Sequence, residues 1–182
     1  MNLLERFQHT LIESGRIILR PMAEGDAENI VRWRNDPDIG KWLFASSQIT
    51  QQSHREWFRK PKLDRLDFII CLRATMQPIG TVNFTNIDFD LRHAEAGKLL
   101  GEKAYRRQGL AKEAFREWLK FGFTGVGFDR VFIRTRSANT GNIRLNEALG
   151  FRVVGDAEHP WGDTEAISDS LVMRLTREDA LR

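Results

Sequence analysis

G-E-K-A-Y-R-R-Q-G-L-A, residues 101–111, connects a predicted strand to a predicted helix and indicates the fold class of this chain. The strand covers residues 93–100, where the chain runs extended into the turn. Residues 110–120 place apolar side chains three and four positions apart, which predicts an amphipathic helix. A helix that begins after such a turn exposes free backbone N–H groups at its positive end. The turn is therefore a candidate site for an anion such as pyrophosphate.

Individual side chains of the turn suit this interpretation. Gly109 lets the backbone approach a phosphate without a Cβ atom in the way, and Ala111 keeps the next position small. Arg106, Arg107 and Lys112 can supply positive charge. The turn has neither the Gly-Lys-Ser/Thr of a P-loop nor the three spaced glycines of a dinucleotide fold. The alternative is an ordinary basic helix start that happens to contain a glycine.

The patterns on both sides of the turn predict one α/β domain. Helices and strands follow one another in an order that predicts a mixed sheet with helices on its faces. Besides the two elements above, the predicted strands cover residues 16–20, 66–72, 79–87, 131–135, 151–154 and 167–175. The other predicted helices cover residues 26–34, with Asp26 as a cap, 52–59 and 140–149, and residues 122–127 are expected to break the helix after the turn.

The composition of the chain excludes several classes of protein. The chain has 182 residues, 41% of them hydrophobic, and a net charge of +3 with both signs interspersed, so we expect no nucleic-acid partner. Cys71 is the single cysteine, which excludes an internal disulfide and favours a cytoplasmic location. No stretch resembles a signal peptide or reaches the roughly 18 apolar residues of a membrane span. Residues 1–15 are predicted to be a helical extension, packed on the domain or contacting a second copy in a homodimer, and residues 16–182 the single domain.

Three segments carry a family resemblance. Residues 106–111, R-R-Q-G-L-A, resemble the R/Q-x-x-G-x-G/A signature of the GNAT superfamily of N-acetyltransferases. Residues 94–100, A-E-A-G-K-L-L, are similar to the A-E-I-G-Y-W-L strand of the RimJ/RimL branch. Residues 139–151 resemble the downstream pattern N-x-x-A/S-x-x-L-Y-x-K-x-G-F. With the opening strand, the resemblance extends over residues 16–175.

This resemblance implies acetyl-CoA as co-substrate, without a metal. It also implies a GNAT-like α/β fold, with a mixed, mostly antiparallel sheet that splays open after its fourth strand and helices on both faces. The pantetheine arm of acetyl-CoA would lie in the gap and pair with exposed backbone, as an added strand would. The resemblance assigns the arm to Leu99, Leu100, Gly101 and Asn139, and the pyrophosphate to Arg106, Arg107, Gln108, Gly109, Leu110 and Ala111.

Acetyl transfer to an amine requires a neutral amine, a polarised carbonyl and a stabilised leaving thiolate. Glu95 is the candidate general base, with a structural ion pair to an arginine as the alternative. Asn146 stands where the family often has tyrosine, and its amide can hydrogen-bond a thiolate without protonating it. Direct transfer in a ternary complex needs no protein nucleophile, so Cys71 is expected to be a core residue. His54 and His93 are weaker candidates that we expect on the polar surface.

Two segments are candidates for the acceptor site. Residues 33–44, W-R-N-D-P-D-I-G-K-W-L-F, resemble a segment of sugar-nucleotide N-acetyltransferases of the pseudaminic acid pathway. Aromatic rings there could stack on a base and an arginine could pair with a diphosphate, or the rings could simply pack the helices. Residues 83–88, N-F-T-N-I-D, offer hydrogen-bonding groups on a strand. The residues expected to contact the acceptor are Trp33, Arg34, Asn35, Asn83, Thr85 and Asn86.

We therefore expect an N-acetyltransferase that acts on the primary amine of a small molecule, with an amino-sugar nucleotide as the first choice. One alternative is N-terminal acetylation of ribosomal proteins, as in the RimJ/RimL branch. Another is a non-catalytic coenzyme A-binding module, because the tyrosine of the family pattern is missing.

Overall fold

A computed structural model of the chain describes residues 3–7, 9–44, 47–155, 158, 160 and 169–182. Their strands form one eight-stranded sheet in the order β1-β2-β3-β4-β5-β6-β8-β7. The strands are β1 (Ile12–Glu13), β2 (Ile17–Pro21), β3 (Leu66–Leu72), β4 (Pro78–Asp88), β5 (His93–Leu100), β6 (Arg130–Arg136), β7 (Arg152–Val154) and β8 (Ser170–Thr176). The α-helices are α1 (Leu3–Phe7), α2 (Ala27–Asn35), α3 (Pro37–Gly40), α4 (Gln51–Arg59), α5 (Leu110–Phe121), α6 (Thr140–Glu147) and α7 (Arg177–Ala180). Within these ranges, no helix has the length and apolar character that crossing a membrane requires.

The sheet opens between β5 and β6. These two strands are parallel, whereas the other described neighbours are antiparallel. β5 and β6 pair only through residues 93–95 and 130–132. Beyond Glu95 the two strands diverge, and residues 96–100 pair with β4 alone. The predicted mixed sheet with a splay is confirmed, and the splay follows the fourth of the predicted strands, which is β5 because β1 was not predicted.

Apolar side chains cover both faces of the sheet. Phe68 and Ile70 belong to a cluster that includes α5, where Trp118 lies 4.8 Å from Phe68 between ring centres. Ile69 and Cys71 alternate with them and belong to a second cluster that includes α2 and α3. Because both faces of β3 are buried, its sequence L-D-F-I-I-C-L is apolar almost throughout. The predicted placement of helices on both faces is confirmed.

The described residues before Arg16 contact α5 and the sheet. Phe7 of α1 packs edge-on against Phe121, with ring centres 5.4 Å apart. β1 pairs with β2, so this hairpin crosses the predicted boundary after residue 15. Within the predicted helical extension, α1 covers residues 3–7, but residues 12–13 form a strand. The sequence did not predict this strand because two residues are too few to show a periodicity.

The predicted break after α5 is also wrong. α5 continues into a π-helical turn, Gly122–Val126, and ends at Gly127, which has a φ of 100°. A Cβ atom on Gly122 would lie 2.5 Å from the ring of Phe84. The glycine at this position therefore allows the helix to approach the sheet closely rather than ending the helix.

Two other boundaries differ from the predictions. The Asp26 carboxylate does not cap α2: it accepts a hydrogen bond from the backbone N–H of Ala23 at 2.8 Å and pairs with Arg20. The predicted strand at residues 167–175 is β8, and its first two predicted residues lie outside the described residues. The buried carboxylate of Asp26 therefore pairs with the guanidinium of Arg20 and does not bond to the N–H groups at the start of α2.

Candidate active site

One cavity lies where the sheet opens, and a second cavity adjoins it. The larger, about 540 Å³, has a size typical of small-molecule sites, and we call it the main cleft. Its polar lining consists of Arg34, Asp38, Arg65, Asn83, Thr85, Glu95, Lys98, Arg106, Arg134, Thr135, Asn139 and Asn142. The smaller, about 330 Å³, is the side pocket, lined by Met22, Ile30, Trp33, Arg34, Ile49, Ser53, His54, Trp57, Arg65, Asp67, Thr81, Asn83 and Leu99. The two share Arg34, Arg65, Asn83 and Leu99, which therefore lie at the boundary between them.

The turn between β5 and α5 has the geometry of an anion site. Gly109 precedes α5 with a left-handed φ of 77°, and Arg107 has a φ of 62°. The first backbone hydrogen bond here runs from the N–H of Glu113 to the carbonyl of Gly109 at 3.0 Å. The N–H groups of residues 109–112 therefore have no partner within the helix. Together with the positive end of α5 and Arg106 in the main cleft, they suit a pyrophosphate.

Parts of the turn serve to hold it in place. The guanidinium of Arg16 donates to the carbonyl of Gln108 at 3.0 Å and pairs with Glu113 at 2.8 Å. The side-chain amide of Gln108 donates to the carbonyl of Ala104 at 2.8 Å. Leu110 is buried in the core. Gln108 and Leu110 can therefore contribute to a pyrophosphate site through their N–H groups, not through their side chains.

The end of β5 presents unpaired backbone to the main cleft. Leu99 and Leu100 line this cleft and lie beyond the last pair of β5 with β6. The N–H of Gly101, by contrast, donates to the carbonyl of Ile79 at 2.8 Å. The predicted backbone contact of Gly101 with a pantetheine arm therefore lacks its donor, because that N–H is already bonded within the protein.

Asn139 stands at the start of α6 and lines the main cleft. Its side-chain oxygen accepts a hydrogen bond from the N–H of Asn142 at 3.2 Å and so caps the helix. Asn142 in turn donates to the hydroxyl of Thr135 at 3.0 Å, which ties α6 to β6. The amide nitrogen of Asn139 makes no hydrogen bond among the described residues, so it can donate to a ligand as predicted.

Glu95 is the last residue of β5 that pairs with β6, and it lines the main cleft. Asn86 donates a side-chain hydrogen bond to its carboxylate. Burial raises the pKa of Glu95 above its ordinary value, although the charge of Arg134 and the bond from Asn86 oppose that rise. A carboxyl group with a raised pKa in a cleft has the properties of a general base.

Asn146 is fully buried and does not line the main cleft. Its side-chain oxygen accepts a hydrogen bond from the ammonium group of Lys98 at 2.5 Å. Its side-chain nitrogen is 3.9 Å from the sulfur of Met173. The predicted direct contact of Asn146 with a thiolate is therefore corrected: the residue reaches the cleft through Lys98. The prediction missed Lys98, although a charged residue after Ala94 and Ala96 on one face of a strand is a visible signal.

The remaining candidates for chemistry are buried. His54 and His93 are 7% and 4% exposed, so the prediction that they lie on the polar surface is wrong. Burial lowers the pKa of both imidazoles. Cys71 is fully buried, and burial raises the pKa of its thiol, which disfavours the nucleophilic thiolate.

Arg34 is one of two arginines that line both the main cleft and the side pocket. Its neighbour Arg65 donates two hydrogen bonds to Asp67, at 2.6 and 2.8 Å. Burial lowers the pKa of Arg34, the charge of Arg65 lowers it further, and Asp67 opposes both. Among the described residues, no carboxylate forms an ion pair with Arg34. An arginine stays charged under these conditions, so Arg34 favours an anionic ligand.

The other predicted acceptor residues divide into two groups. Asn83 and Thr85 line the main cleft as predicted. Trp33 is 1% exposed and its indole N–H donates to Glu102 at 2.9 Å, so it supports the side pocket rather than offering a free face for stacking. Asn35 exchanges two hydrogen bonds with the backbone of Ile49, and Asn86 is bonded to Glu95. Neither of these two asparagines lines the main cleft or the side pocket, and their amides are bonded within the protein.

Comparisons of the sequence point to one family. A profile described as an acetyltransferase (GNAT) domain matches residues 16–152. The chain is 28% identical over 145 residues to an uncharacterized N-acetyltransferase, p20, of Bacillus licheniformis, a match that covers 77% of this chain and 81% of p20. It is also 28% identical over 146 residues, 77% of its length, to an uncharacterized protein of Methanocaldococcus jannaschii, but spans 29% of that longer protein.

Solved structures with a similar fold include two acetyltransferases. A spermidine N-acetyltransferase from Vibrio cholerae, solved in complex with CoA and spermine, superposes with a TM-score of 0.81 at 19% identity, covering 93% of this chain and all of that chain. FdhC, a nucleotide-linked sugar GNAT in its apo form, superposes with a TM-score of 0.76 at 20% identity, covering 94% of this chain and 93% of that chain. At these identities the likeness shows a shared fold.

Proposed function

The chain belongs to the GNAT acetyltransferase family, and on this premise we propose that it transfers the acetyl group of acetyl-CoA to the primary amine of an anionic small molecule. An amino-sugar nucleotide is our first choice of acceptor. The observation that carries this choice is Arg34, a half-buried cation at the acceptor end of the cleft without an ion-paired carboxylate among the described residues.

Two features support acetyl-CoA as the donor: the turn before α5, and the part of β5 that does not pair with β6. The turn before α5 offers backbone N–H groups and Arg106 to a pyrophosphate. The unpaired part of β5 offers backbone groups to an extended arm in the gap beside β6. A donor bound to both features brings its thioester toward Glu95, where the strands separate.

The charges of the main cleft favour an anionic acceptor. Its basic lining side chains are Arg34, Arg65, Lys98, Arg106 and Arg134, and its acidic ones are Asp38 and Glu95. Asp38 is paired with Lys103 at 2.9 Å and Arg65 with Asp67 at 2.6 Å, so neither of these lining residues adds to the balance of charge. A polycation such as spermidine would meet an excess of positive charge here, whereas a diphosphate would be attracted. Aromatic and polar groups for a base and a sugar are present as Trp42, Phe44, Asn83 and Thr85.

Glu95 is assigned the role of general base. An amine is mostly protonated at neutral pH, and it must lose that proton before its lone pair can attack the thioester carbonyl. The Glu95 carboxylate accepts the proton, directly or through a water molecule. Attack within a ternary complex of enzyme, acetyl-CoA and amine needs no acetylated protein intermediate, which agrees with the buried, poorly ionised thiol of Cys71.

The test is an acetyl-CoA turnover assay across acceptor classes. Thiol release and product mass are measured with amino-sugar nucleotides, spermidine, aminoglycosides and peptides with a ribosomal-protein N-terminus. We expect the amino-sugar nucleotides to give the highest kcat/KM. Acetylation of the peptides alone would replace this proposal with protein N-terminal acetylation. Binding of CoA without turnover on any amine would identify a non-catalytic module.

A further inference from the structure

Lys98 is a charged residue on the apolar side of β5. It follows the buried Ala94 and Ala96 on the strand face that packs against α5. Its ammonium nitrogen lies 2.5 Å from the side-chain oxygen of Asn146 and 4.1 Å from the ring centre of Phe115. The side chain also lines the main cleft, where it is half-buried. Lys98 therefore connects buried contacts beneath the sheet with the space between β5 and β6.

We propose that Lys98 is the general acid that protonates the leaving thiolate of coenzyme A, an inference that rests on the acetyl transfer proposed above. Lys98 is the third residue after the last pair of β5 with β6, so it lies beside the gap assigned to the pantetheine arm. Asn146 stands where the family pattern has tyrosine, but it is fully buried. Lys98 and Asn146 together extend from α6 to the cleft, as one longer side chain at position 146 would.

The surroundings of Lys98 suit a proton donor. Burial lowers the pKa of its ammonium group to about 7. An ordinary thiol has a pKa of about 8.5, so a proton moves downhill from this ammonium to a thiolate. The Asn146 oxygen and the Phe115 ring stabilise the charged form without a carboxylate that would raise the pKa strongly.

The other charged groups near Lys98 lie in the main cleft, on α5 and on α6. Those in the main cleft are Arg34, Asp38, Arg65, Glu95, Arg106 and Arg134. On α5, Glu113 pairs with Arg16 and Glu117 with Arg116, while Lys112 and Lys120 are exposed. On α6, Arg144 and Glu147 are exposed. On β4, the residue paired with Lys98 is the apolar Val82.

The acid and the base approach the reacting atoms from opposite faces of one strand. Glu95 and Lys98 are three residues apart, so their side chains leave β5 on opposite sides. Both nevertheless line the main cleft, because this cleft passes through the sheet where β6 departs. Keeping the carboxylate and the ammonium on separate faces prevents them from neutralising each other.

The proposed step balances. Glu95 takes the first proton from the ammonium group and passes it to solvent. The neutral amine nitrogen then forms a bond to the thioester carbon, the carbonyl electron pair moves to oxygen, and Glu95 takes the second proton from that nitrogen. When the carbonyl reforms, the carbon–sulfur bond breaks, sulfur keeps the electron pair, and the Lys98 ammonium gives it a proton. The products are the acetamide and the thiol of coenzyme A. Glu95 then loses its proton and neutral Lys98 regains one through solvent.

The first test needs no acceptor. Lysines carrying carbon-13 at Cε are followed by NMR against pH, and the Lys98→Met variant identifies the Lys98 signal. We expect that signal to titrate near pH 7, far below the ordinary lysine value of 10.5. An ordinary lysine pKa for this signal would overturn the proposal.

The second test measures turnover with whichever amine the acceptor panel identifies. Lys98→Met should lower kcat by about two to four powers of ten, while the Kd of coenzyme A changes little. Lys98→Arg keeps the charge but holds its proton too tightly, so it should not restore kcat. The matched control is Lys120→Met, an exposed lysine of α5.

The outcomes separate this inference from the proposed function. If a folded Lys98→Met protein keeps kcat within threefold of the wild type, Lys98 is not the general acid. The proposed acetyl transfer would still stand. Full activity of Lys98→Arg would show that charge, not proton donation, is what matters. Failure of coenzyme A to bind the wild type would instead contradict the proposed donor site.

Discussion

Asn86 donates a hydrogen bond to Glu95, with 3.1 Å between the side-chain nitrogen of Asn86 and the carboxylate oxygen. Asn86 holds this position with a φ of 51°, within the irregular pairing of β4 and β5. A hydrogen bond to the charged form favours the carboxylate, whereas burial favours the neutral acid, and burial dominates. This pair therefore places a carboxyl group of raised pKa at the residue where β5 and β6 separate.

Replacement of Glu95 tests the general base. We expect Glu95→Gln to lower kcat/KM by about two to four powers of ten. The loss should be largest above the raised pKa of Glu95 and below the pKa of the amine, because only there is the base ionised while the amine still needs deprotonation. Wild-type activity should fall as the pH drops through the raised pKa. A loss of less than about threefold at every pH would make Glu95 a structural residue.

Replacement of Gly109 tests the pyrophosphate site with an isosteric pair. Gly109→Glu and Gly109→Gln impose the same strain at a φ of 77°, but only glutamate adds a negative charge. Two like charges about 4 Å apart near a protein surface repel by about 1 to 4 kcal/mol, so Glu should weaken coenzyme A binding at least several-fold more than Gln. Calorimetric titration measures both affinities. Equal affinities in two folded variants would place the pyrophosphate elsewhere.

Arg34→Ala tests whether the acceptor is an anion that binds at Arg34. We expect it to raise the KM of an amino-sugar nucleotide about tenfold or more while the affinity for coenzyme A stays nearly unchanged, because hydrogen bonds to charged groups contribute about 1.5 to 3 kcal/mol. Arg55→Ala is the control, since Arg55 is an exposed arginine of α4. If both variants keep the wild-type KM, the anion is not bound at Arg34.

Asn146→Ala tests the support of Lys98. Loss of one hydrogen-bond acceptor should cost about 1 kcal/mol and therefore lower kcat by tenfold or less. The Asn146 oxygen stabilises the Lys98 ammonium, so its removal should lower the pKa of Lys98 further. If that ammonium is the acid, the alkaline limb of the pH–kcat profile should move to lower pH. A thousandfold loss of kcat would instead show that Asn146 itself acts on the leaving group.

Gly101→Ala tests the packing of Trp33 against Gly101, the residue that follows β5. A Cβ atom on Gly101 would lie 2.2 Å from the indole ring of the buried Trp33. Overpacking of this kind costs about 1 to 3 kcal/mol, so thermal denaturation should show a clearly lower Tm. Gly141→Ala is the control, because nothing lies within 4 Å of a Cβ atom there and alanine suits α6. A Tm equal to that of the wild type would contradict the close contact of Trp33 with Gly101.

Elements with a strong local signal were predictable from the chain. The apolar spacing of α5, the unbroken apolar run of β3 and the turn that ends at Gly109 all reflect preferences of neighbouring residues. The sequence did not predict β1 because its two residues are too few to show a periodicity. It did not predict the π-helical turn at Gly122 because that turn depends on contact with the distant Phe84.

Local chemistry alone indicated the donor turn and Glu95, since a glycine before a helix and a carboxylate on a strand can be read in order along the sequence. The positions of Trp33, Arg34 and Lys98 depend instead on packing between distant segments of the chain. This packing buries Trp33 against Gly101, leaves Arg34 beside an Arg65 that already holds Asp67, and brings Lys98 to Asn146 across 48 positions of the chain. Backbone preferences act over a few neighbouring residues, whereas the burial and pairing of a charge depend on which faces of the sheet and helices meet.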